Sequence, residues 1–324
     1  MRIHIQNPEG GDAFDISPAM WHAAAARAGR SGDSVSMGST PAEFAAAMAE
    51  AEALVVIPGV LRKLLPLNAP HLKLILTPAA GVEKLAPFDW LPPGIALVNN
   101  SGTHGPKTGQ FALMALLMLA FRLPTFATQQ REQVWNSIFT PTLDGRHVTV
   151  IGTGDLGAAA ASQARRMGMI ATGVRTRAEP HPDFDRVIAV ADLDSLLPTS
   201  EFLILAAPLT PQTQGLMSRA RLSLLPKGAG LLNVGRGALL DQDALADLLD
   251  AGHLSGAIID VTVPEPLPPG HRLWTTKNLT IVPHVSSDNP LTYNDDSLAI
   301  FMRNLAARDG GKVMPNLVDV ARGY

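Results

Sequence analysis

The segment VIGTGDLGAAAASQARR, residues 150–166, sets Gly152, Gly154 and Gly157 between a β-branched run and an alanine-rich helical stretch. In that order G-x-G-x-x-G narrows the fold sharply. The first glycine permits a tight turn, the second lets the backbone approach a pyrophosphate, and the third packs the helix close against its strand. Asp155 and Leu156 complete the loop and open the helix, whose N-terminus faces the phosphate charge. The pattern alone also fits an ordinary strand-to-helix turn. The βαβ alternation around it favours a dinucleotide loop.

That alternation runs on both sides of the loop. Before it, RIHI, SVSM, ALVVI, LKLILT and IALVNN are short β-like runs, with helical stretches at 18–28 and 41–52. From His147 the rhythm restarts with HVTVIG, MIATGV, RVIAV, FLILAAP, GAGLLNVG, SGAIIDV and LTIVPH, and a helix is expected over 156–167. Repeated β-then-α order implies an open parallel sheet, and two runs of it imply an α/β chain of two doubly wound parallel-sheet domains. A long apolar helix over 109–130 links the two runs, and a helix over 293–308 carries the chain back to the first.

The 324 residues hold 26 basic and 29 acidic side chains, so no broad basic face announces nucleic acid or an anionic membrane. Small molecules are the expected partners. There is no cysteine, which excludes disulfides, thiolate zinc sites and a cysteine nucleophile. The opening MRIHIQNPEGG has no apolar signal-peptide core, and the longest apolar run, 111–121, falls short of the roughly 20 residues a spanning helix needs. A cytoplasmic protein is expected. No H-E-x-x-H or G-x-S-x-G motif supports a metal site or a serine hydrolase.

The ribose-reading acid is expected about 20 residues beyond the first glycine. Arg175, Thr176 and Arg177 stand there instead. Forked guanidinium donors match phosphate oxygens, so the basic pair suits the 2′-phosphate of NADP(H); the alternative is two solvated arginines at a strand end. Further on, Arg236, Asp260, Glu265 and His284 each follow a β-like run, where ligands of such sheets collect. Singly, each is unremarkable in a loop. Together they offer a cation for a carboxylate, an imidazole to move a proton and a carboxylate to orient it, a set that suits hydride transfer to a ketone.

VIGTGDLG, LAAPLTPQTQGLM, LLPKGAGLLNVGRGALLDQDAL, AIIDV, EPLPPGHRLW, LTIVPH and NLVDVARGY follow one another in an order and spacing that closely resemble the D-isomer-specific 2-hydroxyacid dehydrogenases. The resemblance is strong from residue 148 onward; before that it rests on LKLILTPAAGVEKL. It implies a flavodoxin-like substrate domain over 1–100 and 288–324, an NAD(P)-binding Rossmann domain inserted at 101–287, and an active site in the cleft between them. By the same resemblance Arg236 binds the substrate carboxylate, His284 is the acid/base and Glu265 its partner. Asp260 lies near the nicotinamide carboxamide, and the backbone N–H groups of Ala80 and Gly81 complete the carboxylate site. Thr108, Ala207, Pro208, Thr213 and Val234 lie along the cofactor.

Two stretches depart from the family's pattern: His104, Lys107 and Gln110 stand where the family more often shows Asn, a small or neutral residue and Glu, and Val285, Ser286 and Ser287 replace a glycine-rich continuation after His284. The expectation is a reductase of small 2-oxo acids such as glyoxylate or hydroxypyruvate, preferring NADP(H) with NAD(H) also usable. A homodimer is expected through the helix at 109–130, with Leu116 or Leu119 on the seam. The rival is a non-catalytic dinucleotide-sensing protein of the same fold.

Overall fold

The computed structural model describes residues 1–11 and 14–323; Asp12, Ala13 and Tyr324 lie outside the described residues, the last of them closing the NLVDVARGY segment of the resemblance. The chain divides into two compact units, Met1–Thr103 with Asn289–Tyr324, and His104–Asp288. Both are α/β, with every strand pair parallel.

The first unit holds β1 (Arg2–Gln6), β2 (Ser34–Gly38), β3 (Ala53–Val56), β4 (Leu74–Leu76) and β5 (Ala96–Val98), in the spatial order β2-β1-β3-β4-β5. A parallel sheet needs cover on both faces. On one face Ile3, Ile5 and Val55 pack with Trp21 and with Leu298, Phe301 and Leu305 of the helix Tyr293–Asp309, which thereby completes this unit from the far end of the chain. On the other, Leu54 and Ile75 meet Phe44, Met48 and Leu61. The helix Pro41–Met48 starts where it does because Thr40 and Glu43 form a reciprocal capping box ahead of a proline in the first turn.

The second unit holds β6 (His147–Ile151), β7 (Ile170–Arg175), β8 (Arg186–Ala189), β9 (Phe202–Leu205), β10 (Gly230–Asn233), β11 (Gly256–Ile259) and β12 (Leu279–Ile281). Their order is β12-β11-β10-β9-β6-β7-β8. The chain builds outward from β6 through β7 to β8, then returns to the other side of β6 with β9. The carboxyl ends of β6 and β9 therefore flank the switch point where such sheets bind ligands.

The apolar stretch at 109–130 is not one helix. It forms Gly105–Ala120 and Leu123–Glu132, bent by 57° at the break. Arg122 there is left-handed, with φ 58°, and Pro124 in the next first turn cannot donate the hydrogen bond that continuation would require. Nor are Leu116 and Leu119 on a seam with a second chain. At 0% and 2% exposure they pack with Val148, Ile204, Leu232 and Ile258 in this unit's own core. The apolar character of the stretch is the ordinary signature of a helix laid across a sheet. No single helix among the described residues is long and apolar enough to cross a membrane.

Replacing Leu116 by Ala leaves a cavity under the sheet and is expected to cost about 2–5 kcal/mol. Urea unfolding of the purified protein reads this directly. An unchanged midpoint would contradict the buried placement.

Candidate active site

Six of the seven strands of the second unit deliver a candidate residue at the carboxyl end. After β6, the chain turns at Gly152 with φ 98°, and a Cβ there would lie 2.7 Å from backbone atoms of Ala206 and Ala207 at the end of β9. A Cβ at Gly157 would lie 1.9 Å from the Gly152 carbonyl oxygen, so the helix Asp155–Arg166 seats on the turn only with glycine in that place. Gly154 differs from both: nothing stands within 4 Å of its missing Cβ. It is the N-cap of a helix that no side chain caps, so first-turn N–H groups face an open approach. Bare backbone, open space and the positive end of a helix dipole fit a dinucleotide pyrophosphate.

At the end of β7, Arg175 is half-buried while Thr176 and Arg177 are exposed. At the end of β9, Ala207 is buried, and Pro208 accepts a 2.7 Å hydrogen bond from the Thr213 hydroxyl, which also accepts from Thr210 N–H at 2.8 Å. The Thr213 side chain is thus spent on shaping its own turn. Val234, after β10, is buried, and its N–H donates to the Leu205 carbonyl, locking this turn to β9. Thr108 is fully buried on the helix Gly105–Ala120 and donates to Ser287 Oγ at 2.9 Å.

Arg236 is the third residue after β10. Asn233, itself fully buried, sets that turn by accepting from Gly235 N–H at 3.0 Å and donating to the Arg236 carbonyl at 3.0 Å. Gly237 then brings this loop against the one after β11, since a Cβ there would sit 2.4 Å from the Thr262 carbonyl carbon. The second loop is pinned by Gln242, which donates to the Val263 carbonyl at 2.7 Å and accepts from Val263 N–H at 3.0 Å. On that support Glu265 reaches His284, after β12, with 2.6 Å between Oε1 and Nδ1. The pair is partly open, with 39% and 45% of the side chains exposed. The His284 Nε2 has no hydrogen-bond partner among the described residues.

Asp260 explains why His284 stands as it does. It is 2% exposed, a depth at which a carboxylate requires several donors. One oxygen accepts from Val285 N–H at 2.8 Å and the other from Ser286 Oγ at 2.6 Å, while its backbone carbonyl accepts from His284 N–H at 2.9 Å. These bonds hold His284 at φ 53°, a left-handed conformation that a residue with a side chain adopts only under constraint. The departures from the family's pattern cluster here too. His104 lies 3.3 Å from Asp288, and Lys107 donates to the Asp288 carbonyl, whereas Gln110 is exposed on its helix.

Gly237, Gln242 and Asn233 were not singled out in the sequence, and Ser286 was noted only as a departure from the family's pattern. Their work is to bring segments together, and only Gly237, beside the arginine, carried a signal a reader could use. In the first unit, Ala80 and Gly81 follow β4, where Asn99 Nδ2 donates to the Ala80 carbonyl at 3.0 Å. Their own N–H groups donate to no group among the described residues.

A doubly wound sheet with a bare-glycine turn at its switch point, and an arginine and a carboxylate–imidazole pair at neighbouring strand ends, defines a nicotinamide-dependent dehydrogenase. The model of the D-isomer specific 2-hydroxyacid dehydrogenase NAD binding domain matches residues 113–286. A mouse glyoxylate reductase/hydroxypyruvate reductase is 31% identical over 265 residues, 79% of each chain. A D-isomer specific 2-hydroxyacid dehydrogenase from Xanthobacter autotrophicus Py2, solved in complex with NADPH and MES, is 30% identical with a TM-score of 0.82 over 100% of this chain and 99% of its own. A family protein from Aeromonas salmonicida matches with 27% identity and a TM-score of 0.82 over 98% and 99% of the two chains. The chain belongs to the D-isomer specific 2-hydroxyacid dehydrogenase family and is an NAD(P)-dependent oxidoreductase.

The glycines separate support from recognition. Gly157→Ala forces its methyl into the turn and is expected to lose about 1–3 kcal/mol of stability as well as cofactor binding. Gly154→Ala, with open space around it, keeps its thermal unfolding but blocks the phosphate approach, weakening NADPH by about tenfold or more, roughly 1.4 kcal/mol. Calorimetry alongside NADPH titration separates the two. Tight NADPH binding by Gly154→Ala would contradict the cradle.

Proposed function

We propose that the protein reduces small 2-oxo acids, of the size of glyoxylate or hydroxypyruvate, to D-2-hydroxy acids with NADPH in preference to NADH. The His284–Glu265 pair carries this reading, because it supplies a proton at the same sheet edge as Arg236 and the glycine turn. The nicotinamide, when bound, supplies the hydride that the substrate's C2 receives. Arg236 holds the substrate carboxylate and polarises its carbonyl, with the N–H groups of Ala80 and Gly81 as further carboxylate donors. His284, held through Nδ1, donates its Nε2 proton to the carbonyl oxygen, and Glu265 stabilises the imidazolium before transfer. Asp260 positions the histidine and, with Thr108, Ala207, Pro208, Thr213 and Val234, borders the cofactor.

Arg175, Thr176 and Arg177 take the 2′-phosphate. An aspartate in their place would accept the ribose hydroxyl of NAD and repel a phosphate, and arginine reverses both preferences. In this reading the second unit holds the cofactor and the first contributes to the substrate. The relative from mouse bears the name of an enzyme acting on glyoxylate and hydroxypyruvate, which supports the substrate class. The cysteine-free composition suits the cytoplasm.

We also propose a homodimer, now on a different surface. Trp135 and Phe139 are 98% and 95% exposed on the extended segment after the helix Leu123–Glu132, beside a hollow of about 640 Å³ lined by Phe126, Val134 and neighbouring glutamines. Two large aromatics fully open to water are the expected anchors of a self-complementary contact.

His284→Ala is expected to lower kcat by about 10²–10⁴ while NADPH still binds; normal turnover would remove the histidine from the reaction. Arg175→Ala raises KM for NADPH with little change for NADH, because the contact is made equally in ground and transition states. Equal use of both cofactors by the unaltered protein would end the NADP(H) assignment. Trp135→Ser with Phe139→Ser should yield a monomer by light scattering at a concentration where the parent is dimeric. A parent protein that is already monomeric would end the dimer.

A further inference from the structure

Arg175 and Arg177 close the same strand, yet they are not in equivalent states. Arg175 Nη2 lies 3.5 Å from Glu179 Oε2, an ion pair four residues apart. The turn between them is held by Glu179 N–H, which donates to the Arg177 carbonyl at 2.8 Å and returns the glutamate toward the end of β7. The Arg177 side chain has no ion-pair or hydrogen-bond partner among the described residues. A carboxylate therefore already stands against one of the two cations assigned above to the 2′-phosphate.

We propose that Glu179 is a built-in counter-ion that competes with the 2′-phosphate for Arg175, and so sets how strongly NADPH is preferred over NADH. The inference rests on the NADP(H) reading of the arginines. A glutamate beside an arginine has two opposite uses: it orients the guanidinium for its ligand, or it occupies the ligand's place. Orientation needs a directional bond. Here the separation is 3.5 Å, with no hydrogen bond between the two side chains, which are 37% and 56% exposed, so the contact fixes no geometry. Repulsion needs no such alignment. A carboxylate charge and a phosphate dianion sharing one guanidinium lie within the Debye length of about 8 Å at physiological salt. Competition is therefore the effect that dominates.

The consequence is asymmetric. NADPH must displace Glu179 from Arg175, with Arg177 making the first contact. NADH carries no 2′-phosphate and leaves the ion pair intact, so the Arg175 charge stays compensated by Glu179 when the smaller cofactor binds. Dual use with a moderated preference for NADPH follows.

The test is the dissociation constants of NADPH and NADH, read by cofactor fluorescence or calorimetry on the full-length protein, with Glu179→Gln, which keeps the side chain's size and removes its charge. NADPH should bind about three- to tenfold more tightly than to the parent, the scale of one unit charge acting on a phosphate through water. NADH should change by less than about twofold, and the NADPH gain should shrink as salt rises. Unchanged or weaker NADPH binding overturns the proposal, the weaker result meaning that Glu179 orients Arg175. Arg175→Ala, measured in parallel, separates the two layers. If it weakens NADPH while Glu179→Gln gives no gain, only the counter-ion role fails; if it leaves NADPH unaffected, the cofactor assignment fails and takes this inference with it.

Discussion

A parallel sheet covered on both faces leaves its strand bodies no place for ionised side chains, so charge collects where the strands end. In the second unit this constraint governs everything else. The strands β6, β9, β10 and β11 are apolar and buried through most of their length. The turns beyond them carry Gly152, Pro208, Arg236, Asp260 and Glu265, with His284 after β12. Five successive carboxyl ends on one edge place these groups in a row without any loop having to travel far. The chemistry is a property of the sheet's direction as much as of the residues.

Loops at such an edge still need fixing, and backbone groups do most of it. Gly157 against Gly152 and Gly237 against Thr262 are contacts too close for any side chain. They hold two turns against their neighbours more closely than any side chain would allow. Asp260 acts in the same way from a side chain, its buried charge spread over Val285 N–H and the Ser286 hydroxyl. Replacing a glycine-rich continuation by Ser286 gives that carboxylate a donor a glycine lacks. The family's pattern is thus altered beside the histidine without disturbing what the histidine needs.

The parallel α/β architecture was legible because its signal is local: β-branched runs, glycine turns and alanine-rich helices in strict alternation. The glycine loop and the strand-end polar residues were legible for the same reason. The break at Arg122 was not, since apolar content is blind to a change of helix axis; Pro124 was the available clue. Leu116 and Leu119 were misplaced at a subunit seam because a helix crossing a sheet and a helix facing a second chain look alike in sequence. Gln242 stayed invisible because its partner Val263 lies on a loop that only folding brings near, Asn233 because a turn-setting amide belongs to no motif, and Ser286 was noted as a departure without its bond to Asp260. Glu179 was passed over because an acid four residues from an arginine is commonplace on a surface, and its meaning depends on what Arg175 is for.

The central claim is that this edge delivers hydride and proton to the C2 carbonyl of a 2-oxo acid with a fixed facial sense. It is tested by supplying the protein with NADPH deuterated at the transferring position and glyoxylate or hydroxypyruvate, then analysing the product by mass and chirality. The account predicts one deuterium at C2, and a D-configured product from hydroxypyruvate. An L-configured product, or product without deuterium at C2, would contradict it.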